Sequence, residues 1–83
     1  MSPLVSEMEP EVEPEVVEVT GVVRLGQFLK LAGAVETGGQ AREALLAGDV
    51  TVNEEVEERR GRQLSDGDLV ELGGGAWTVH VMG

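Results

Sequence analysis

A chain of 83 residues has room for one small domain, which buries only about 60% of the surface that its unfolded form exposes. It has no cysteine and a single histidine, which excludes disulfides, cysteine nucleophiles and metal sites built from thiolates or several histidines. The net charge of −10 argues against a general affinity for nucleic acid. Because no secretory signal and no apolar run of about 20 residues is visible, we expect a cytoplasmic protein without a membrane span.

The N-terminal segment is acidic and rich in proline. Residues 7–18 carry six glutamates and no basic residue, and prolines stand at positions 3, 10 and 14. Proline interrupts helices and cannot donate to a β-ladder, and like charges keep such a segment solvated. We therefore predict a disordered acidic tail over residues 1–18, with an edge strand beginning among its last valines. The predicted domain, residues 19–83, contains all six basic residues and ten acidic ones, a net charge of −4.

Two short helices are predicted at the start of this domain. Four apolar residues follow the i, i+3, i+4, i+7 spacing of one helix face: Leu25, Phe28, Leu29 and Ala32. They predict a helix near residues 24–32, and Gly33 suits the position that ends it. Thr37 and Gln40 have the spacing of a capping box, which predicts a second helix near residues 38–47.

The remainder of the chain has the alternation and turn residues of β-strands. Strands are predicted near 50–53, 55–59, 69–72 and 77–81. Glutamate disfavours the positive φ of a two-residue type I′ turn, so we expect a longer loop at Asn53-Glu54. Helices and strands are segregated, so the predicted class is α+β, with a two-helix unit packed on a small, mostly antiparallel sheet. The predicted core consists of Leu25, Phe28, Leu29, Leu45, Val50, Val52, Leu64, Val70 and Val79.

Most of the basic residues are predicted to share one exposed surface. Arg59, Arg60 and Arg62 lie in a connection between strands, whereas Arg42 and Lys30 lie on the helices, away from the apolar face. Arginine binds phosphate in a bidentate manner, and free N–H groups at the start of the second helix favour anions. The alternative is a solvated loop, with the arginines neutralised by the acidic residues that precede them: Glu54, Glu55, Glu57 and Glu58.

Five sequence motifs over residues 24–72 favour the first interpretation. They are Phe-Leu-Lys at 28–30, Gly-Gly-x-Ala-Arg at 38–42, Ala-Gly-Asp-Val-Thr-Val-Asn at 47–53, Glu-Glu-Arg-Arg-Gly-Arg at 57–62 and Gly-Asp at 67–68. In order and spacing they resemble the S4 RNA-binding domain, and more narrowly the small stand-alone S4-like proteins of bacteria.

The resemblance implies the S4 fold (the αL motif) and contacts to structured RNA, such as ribosomal or transfer RNA, through the helical unit and the adjoining loop. The residues that it suggests for RNA binding are Lys30, Thr37, Gly38, Gly39, Gln40, Arg42, Asn53, Arg59, Arg60 and Arg62. Many S4 domains have arginine where this chain has Gly38, so Arg42 is expected to make that contact instead. A ribosome-associated monomer without catalytic activity, metal or cofactor is expected.

Two other classes of protein are compatible with parts of the sequence. The first is an adaptor that keeps an S4-like fold but has lost RNA binding, and the net charge favours it. The second is a sulfur carrier of the β-grasp type, suggested by Asp-Gly-Asp-x-Val-Glu-Leu at 66–72. Such carriers need a C-terminal Gly-Gly, whereas this sequence ends Val81-Met82-Gly83.

Overall fold

The computed structural model describes residues 13–82, which form an α+β fold as predicted. Within this range there are seven strands and two helices. In chain order they are β1 (Glu15–Thr20), β2 (Val23–Arg24), α1 (Leu25–Leu31), α2 (Gly38–Leu46), β3 (Val50–Val52), β4 (Glu55–Val56), β5 (Gln63–Leu64), β6 (Leu69–Leu72) and β7 (Gly75–Met82).

The main sheet has five strands in the order β1-β7-β6-β3-β4. The pairs β7–β6, β6–β3 and β3–β4 are antiparallel, whereas β1 lies parallel to β7. The short strands β2 and β5 form a separate antiparallel pair next to the start of α1. The sheet is therefore mostly antiparallel, as predicted, with one parallel strand at its edge.

The two helices begin with different kinds of cap. At α2, the Thr37 hydroxyl accepts a hydrogen bond from the Gln40 N–H (3.1 Å), and the Gln40 side chain accepts one from the Glu36 N–H (2.7 Å). This confirms the predicted capping box, although the glutamine reaches one residue before the cap. At α1, no side chain of the described residues forms a cap. Its first N–H groups instead donate to carbonyl oxygens of the connection between β4 and β5.

The core lies between the helices and the main sheet. All residues predicted to form it are buried, and Leu25, Phe28 and Leu29 on α1 are fully inaccessible to solvent. Val19 of β1, Val23 of β2 and Ala41 of α2 are also buried in this core. No helix among residues 13–82 is long and apolar enough to cross a membrane.

Two boundaries differ from those predicted. The edge strand predicted among the last valines of the tail is confirmed as β1, but it begins at Glu15, so residues 15–18 belong to the sheet and not to a disordered tail. Their pairing with the last strand of the chain explains the difference, because a local pattern of charge does not reveal a distant partner. The predicted disorder of residues 1–12 lies outside the described residues. The predicted 55–59 strand ends at Val56, and residues 57–62 leave the sheet.

The prediction of a longer loop at Asn53-Glu54 is wrong. Val52 pairs directly with Glu55, so the turn has two residues, and φ is 53° at Asn53 and 73° at Glu54. These are the signs that a type I′ turn requires. The Asn53 N–H donates to the Leu69 carbonyl (2.7 Å), and its side-chain oxygen accepts from the Leu69 N–H (3.0 Å). These contacts with β6 hold Asn53 in place, and the hairpin geometry then imposes positive φ on Glu54.

Candidate nucleic-acid interface

The connection between β4 and β5, residues 57–62, is held against the start of α1. The N–H groups of Leu25 and Gly26 donate to the carbonyl oxygens of Arg62 (2.8 Å) and Arg60 (2.9 Å). The Arg24 guanidinium donates to the Gly61 carbonyl (2.8 Å). Because backbone groups make most of these contacts, the position of the connection does not depend on the orientation of its exposed side chains.

Gly26 allows the connection to approach the helix closely. A Cβ atom at this position would clash with Cγ of Arg60 and lie 3.1 Å from its Cδ. The aliphatic part of the Arg60 side chain therefore lies directly over the Gly26 backbone. This contact limits the directions in which the exposed Arg60 guanidinium can point.

A cleft of about 420 Å³ lies between α1, the start of α2 and this connection, and we call it the cationic cleft. Three basic side chains line it: Arg24, Lys30 and Arg60. The other lining residues are uncharged: Gly26, Gln27, Gly38, Ala41 and Gly61. No carboxylate of residues 13–82 lines the cleft, although the whole chain carries a net charge of −10.

The start of α2 adds to this positive environment. Gly38 and Gly39 are its first two residues, and their N–H groups have no acceptor within the helix. A Cβ atom at Gly38 would have no heavy atom within 4 Å, so the backbone there is open to an approaching ligand. The helix dipole and these N–H groups favour an anion at this end of the cationic cleft.

The other two arginines of the connection form a cluster with Glu57. The Glu57 carboxylate accepts hydrogen bonds from Arg59 Nε (3.1 Å), Arg59 Nη2 (3.2 Å), the Arg59 N–H (3.0 Å) and Arg62 Nη1 (3.1 Å). Glu57 is only 8% exposed. Hydrogen bonds from the Arg59 side chain and backbone, with a smaller one from Arg62, lower the pKa of Glu57 to about 2 against the opposing effect of burial. The same contacts raise the pKa of Arg59.

The structure thus divides the residues predicted for binding into groups. Lys30, Gly38 and Arg60 line the cationic cleft, whereas Arg59 and Arg62 are bound to Glu57. Arg42 and Gly39 are exposed on α2 but do not line the cleft. The remaining three have structural partners: Thr37 and Gln40 cap α2, and Asn53 bonds to Leu69 and Asp68.

Sequence reasoning missed Arg24, Gly26 and Gln27 as parts of this site. A signal for two of them is present, because Arg24, Gln27 and Lys30 are spaced three residues apart and fall on one side of a helical segment. For Gly26 there is no such signal, because its role depends on Arg60, which is distant in sequence. Among residues 13–82 no group of three or more acidic or histidine side chains is arranged to hold a metal ion.

Comparisons with known proteins agree with this fold. The family model of the S4 domain matches residues 17–80. The chain is also similar to the probable ribosome maturation protein RlbA of Bacillus subtilis (strain 168). The two are 49% identical over 55 residues, which cover 66% of this chain and 78% of that protein. The resemblance seen in the motifs is therefore confirmed, and the chain belongs to the S4 domain family.

Proposed function

We propose that this protein is a non-catalytic RNA-binding module that acts on structured RNA, specifically ribosomal RNA during ribosome maturation. The observation that carries the proposal is the cationic cleft, where three basic side chains meet the open start of α2 without a carboxylate among them. The name of the similar protein RlbA supports the process. Under this proposal the protein acts as a monomer in the cytoplasm.

Phosphate groups are the natural ligands of such a surface. Arg24 and Arg60 offer planar guanidinium groups that bind phosphate in a bidentate manner, and Lys30 adds a point charge. Gly38 and Gly39 offer backbone N–H groups, and Arg42 extends the positive surface along α2. Thr37 and Gln40 act by fixing the start of α2, and Asn53 acts by fixing the β3–β4 hairpin.

An adaptor that does not bind RNA is the second candidate, and the Glu57 cluster favours it. This carboxylate offsets one of the two charges of Arg59 and Arg62. Neutralisation is nevertheless incomplete. Among the residues that the structure describes, no carboxylate lies within ion-pairing distance of Lys30, Arg42 or Arg60, and Glu54, Glu55 and Glu58 form no ion pair. With Arg24, whose side chain donates to the Gly61 carbonyl, four of the six basic residues have no carboxylate partner among the described residues, and these four support RNA binding over the adaptor.

Two experiments test the proposal. Crosslinking in cells, followed by sequencing of the bound RNA, should recover ribosomal RNA. In vitro, affinity for the recovered fragment should fall with salt, because neutralising phosphates releases counterions. With about four phosphate contacts to unpaired RNA, the slope of log K against log salt should be near −3, and Arg60→Ala should make it shallower by about 0.7. Binding that does not respond to salt, or no RNA recovered, would favour the adaptor.

A further inference from the structure

We propose that the cationic cleft holds a single unpaired nucleotide, so that the protein recognises a bulged or looped-out position and not the backbone of a continuous duplex. This inference rests on the proposed RNA-binding function and specifies its ligand. Three features of the cleft carry it: its size and concave shape, the division of its lining, and the way in which its two arginines are held.

The first feature is concavity. A volume of about 420 Å³ falls within the roughly 300–1,000 Å³ typical of pockets for small molecules. The cleft is open to solvent on one side, and it is bordered by α1, the start of α2 and the connection 57–62, which is distant from both helices in sequence. A duplex presents its phosphates along a convex ridge, which is best contacted by a flat or grooved surface. A nucleotide displaced from its stack can instead enter a cleft of this size.

The second feature is that the lining has both anion-binding and base-binding parts. Gly38 is the first residue of α2, where a phosphate is favoured, and Lys30 of α1 adds a positive charge to the lining. Gly26, Ala41 and Gly61 add an uncharged part to the lining, beside which a base can lie without facing a charged group. Gln27 is exposed on α1, and its amide can both donate to and accept from the edge of a base.

The third feature concerns stacking. The chain contains two aromatic residues, and neither is available in the cleft: Phe28 is fully buried, and Trp77 lies on β7 with its ring against Gly75. Guanidinium planes also stack on unpaired bases. Arg24 is held by its bond to the Gly61 carbonyl, and Arg60 is held over Gly26. Both groups are therefore partly ordered before a base arrives, which reduces the entropy lost on binding.

The test compares two RNA hairpins that share one stem. One hairpin is fully paired, and the other carries a single bulged 2-aminopurine whose fluorescence reports stacking. The full-length protein should bind the bulged hairpin about tenfold more tightly, because only the bulged base can enter the cleft and stack on a guanidinium plane. Arg60→Ala should remove this preference. Arg42→Ala makes the same change in charge outside the cleft. It should weaken the binding of both hairpins equally and retain the preference for the bulged one.

A second variant separates geometry from charge. Gly26→Ala leaves the net charge unchanged but displaces the Arg60 side chain, so it should lose the preference for the bulge while weakening the paired hairpin's binding no more than Arg60→Ala does. Circular dichroism checks that the variant is folded. If the wild-type protein bound both hairpins with equal affinity, and this affinity fell with increasing salt, the proposal of a nucleotide-binding cleft would be wrong. The proposed RNA-binding function would not be affected. If neither the hairpins nor ribosomal RNA bound at low salt, both the nucleotide-binding cleft and the proposed function would be contradicted.

Discussion

Glu57 is a buried carboxylate in the connection 57–62, which carries a net positive charge in the proposed RNA-binding surface. Four hydrogen bonds from Arg59 and Arg62 satisfy it, and those bonds hold the backbone of the connection as it leaves β4. A buried charge without such partners would be strongly unfavourable. We infer that Glu57 contributes mainly to the shape of the connection, and that it lowers the local positive charge as a consequence.

Replacing Glu57 with glutamine should destabilise the fold by about 1.5–3 kcal/mol at neutral pH, since hydrogen bonds to a charged group are lost. The folded-state pKa of about 2 lies below the ordinary value of 4.5. The contribution of Glu57 is therefore complete above pH 4.5, declines as the pH falls from 4.5 towards 2, and is absent below 2. When unfolding in denaturant is measured from pH 4.5 to pH 2, the free energies of unfolding of the wild type and the variant should converge.

Glu58→Gln is the matched control for this experiment. Glu58 is exposed, forms no ion pair among the described residues, and carries the same charge in the same loop. Its substitution should change the free energy of unfolding by less than about 0.5 kcal/mol. A similar loss for both variants would mean that the Glu57 hydrogen bonds do not stabilise the connection.

Glu54 is a non-glycine residue with positive φ, and this conformation should carry strain. Glu54→Gly should stabilise the protein by about 0.5–1 kcal/mol, because relief of the left-handed conformation exceeds the added entropy of the unfolded chain. Glu55→Gly removes the same charge one residue later, within β4, where glycine should destabilise by a similar amount. Shifts of the unfolding midpoint in the same direction for both variants would contradict the assignment of strain to Glu54.

At the scale of elements, α1 joins the core to the binding surface, because one side of it is buried and another lines the cationic cleft. Leu29→Ala should cost about 2–5 kcal/mol, which is a large part of the stability of so small a domain. Leu31→Ala is the control on the same helix, since Leu31 is 61% exposed and its substitution should have little effect. Equal losses of unfolding free energy would show that α1 is not packed through Leu29.

The elements also show which features a sequence can reveal. Both helices, the strands β3, β6 and β7, the start of β4 and the edge strand β1 are predicted from the sequence, because periodicity, valine-rich segments and turn residues are local signals. The strands β2 and β5 were missed, since two-residue strands have no period to detect. In the site, Lys30, Gly38 and Arg60 were predicted from charge and helix position. The contribution of Gly26 was not, because its close contact with Arg60 arises only when distant segments pack together.

For the whole molecule, the distribution of charge makes the proposed RNA binding compatible with an acidic protein. The lining of the cationic cleft has no carboxylate, whereas Glu13, Glu15 and Glu18 are exposed near or on the edge strand β1. Charged residues on an edge strand disfavour pairing with another chain. The remaining glutamates of the acidic segment, at positions 7, 9 and 11, precede the described residues. Their effect on RNA binding can be tested without disturbing the sheet.

Deletion of residues 1–12 removes these three carboxylates and changes the net charge from −10 to −7. Because fewer negative charges then repel RNA, the truncated protein should bind non-specific RNA more tightly at low salt. The gain should fade towards physiological ionic strength, where the Debye length is about 8 Å. A full-length variant with residues 1–12 in scrambled order should bind like the wild type. Deletion through residue 17 would instead remove half of β1 and destabilise the fold, so stability must be measured alongside affinity. Unchanged affinity of the shorter deletion at low salt would show that this segment does not oppose RNA binding.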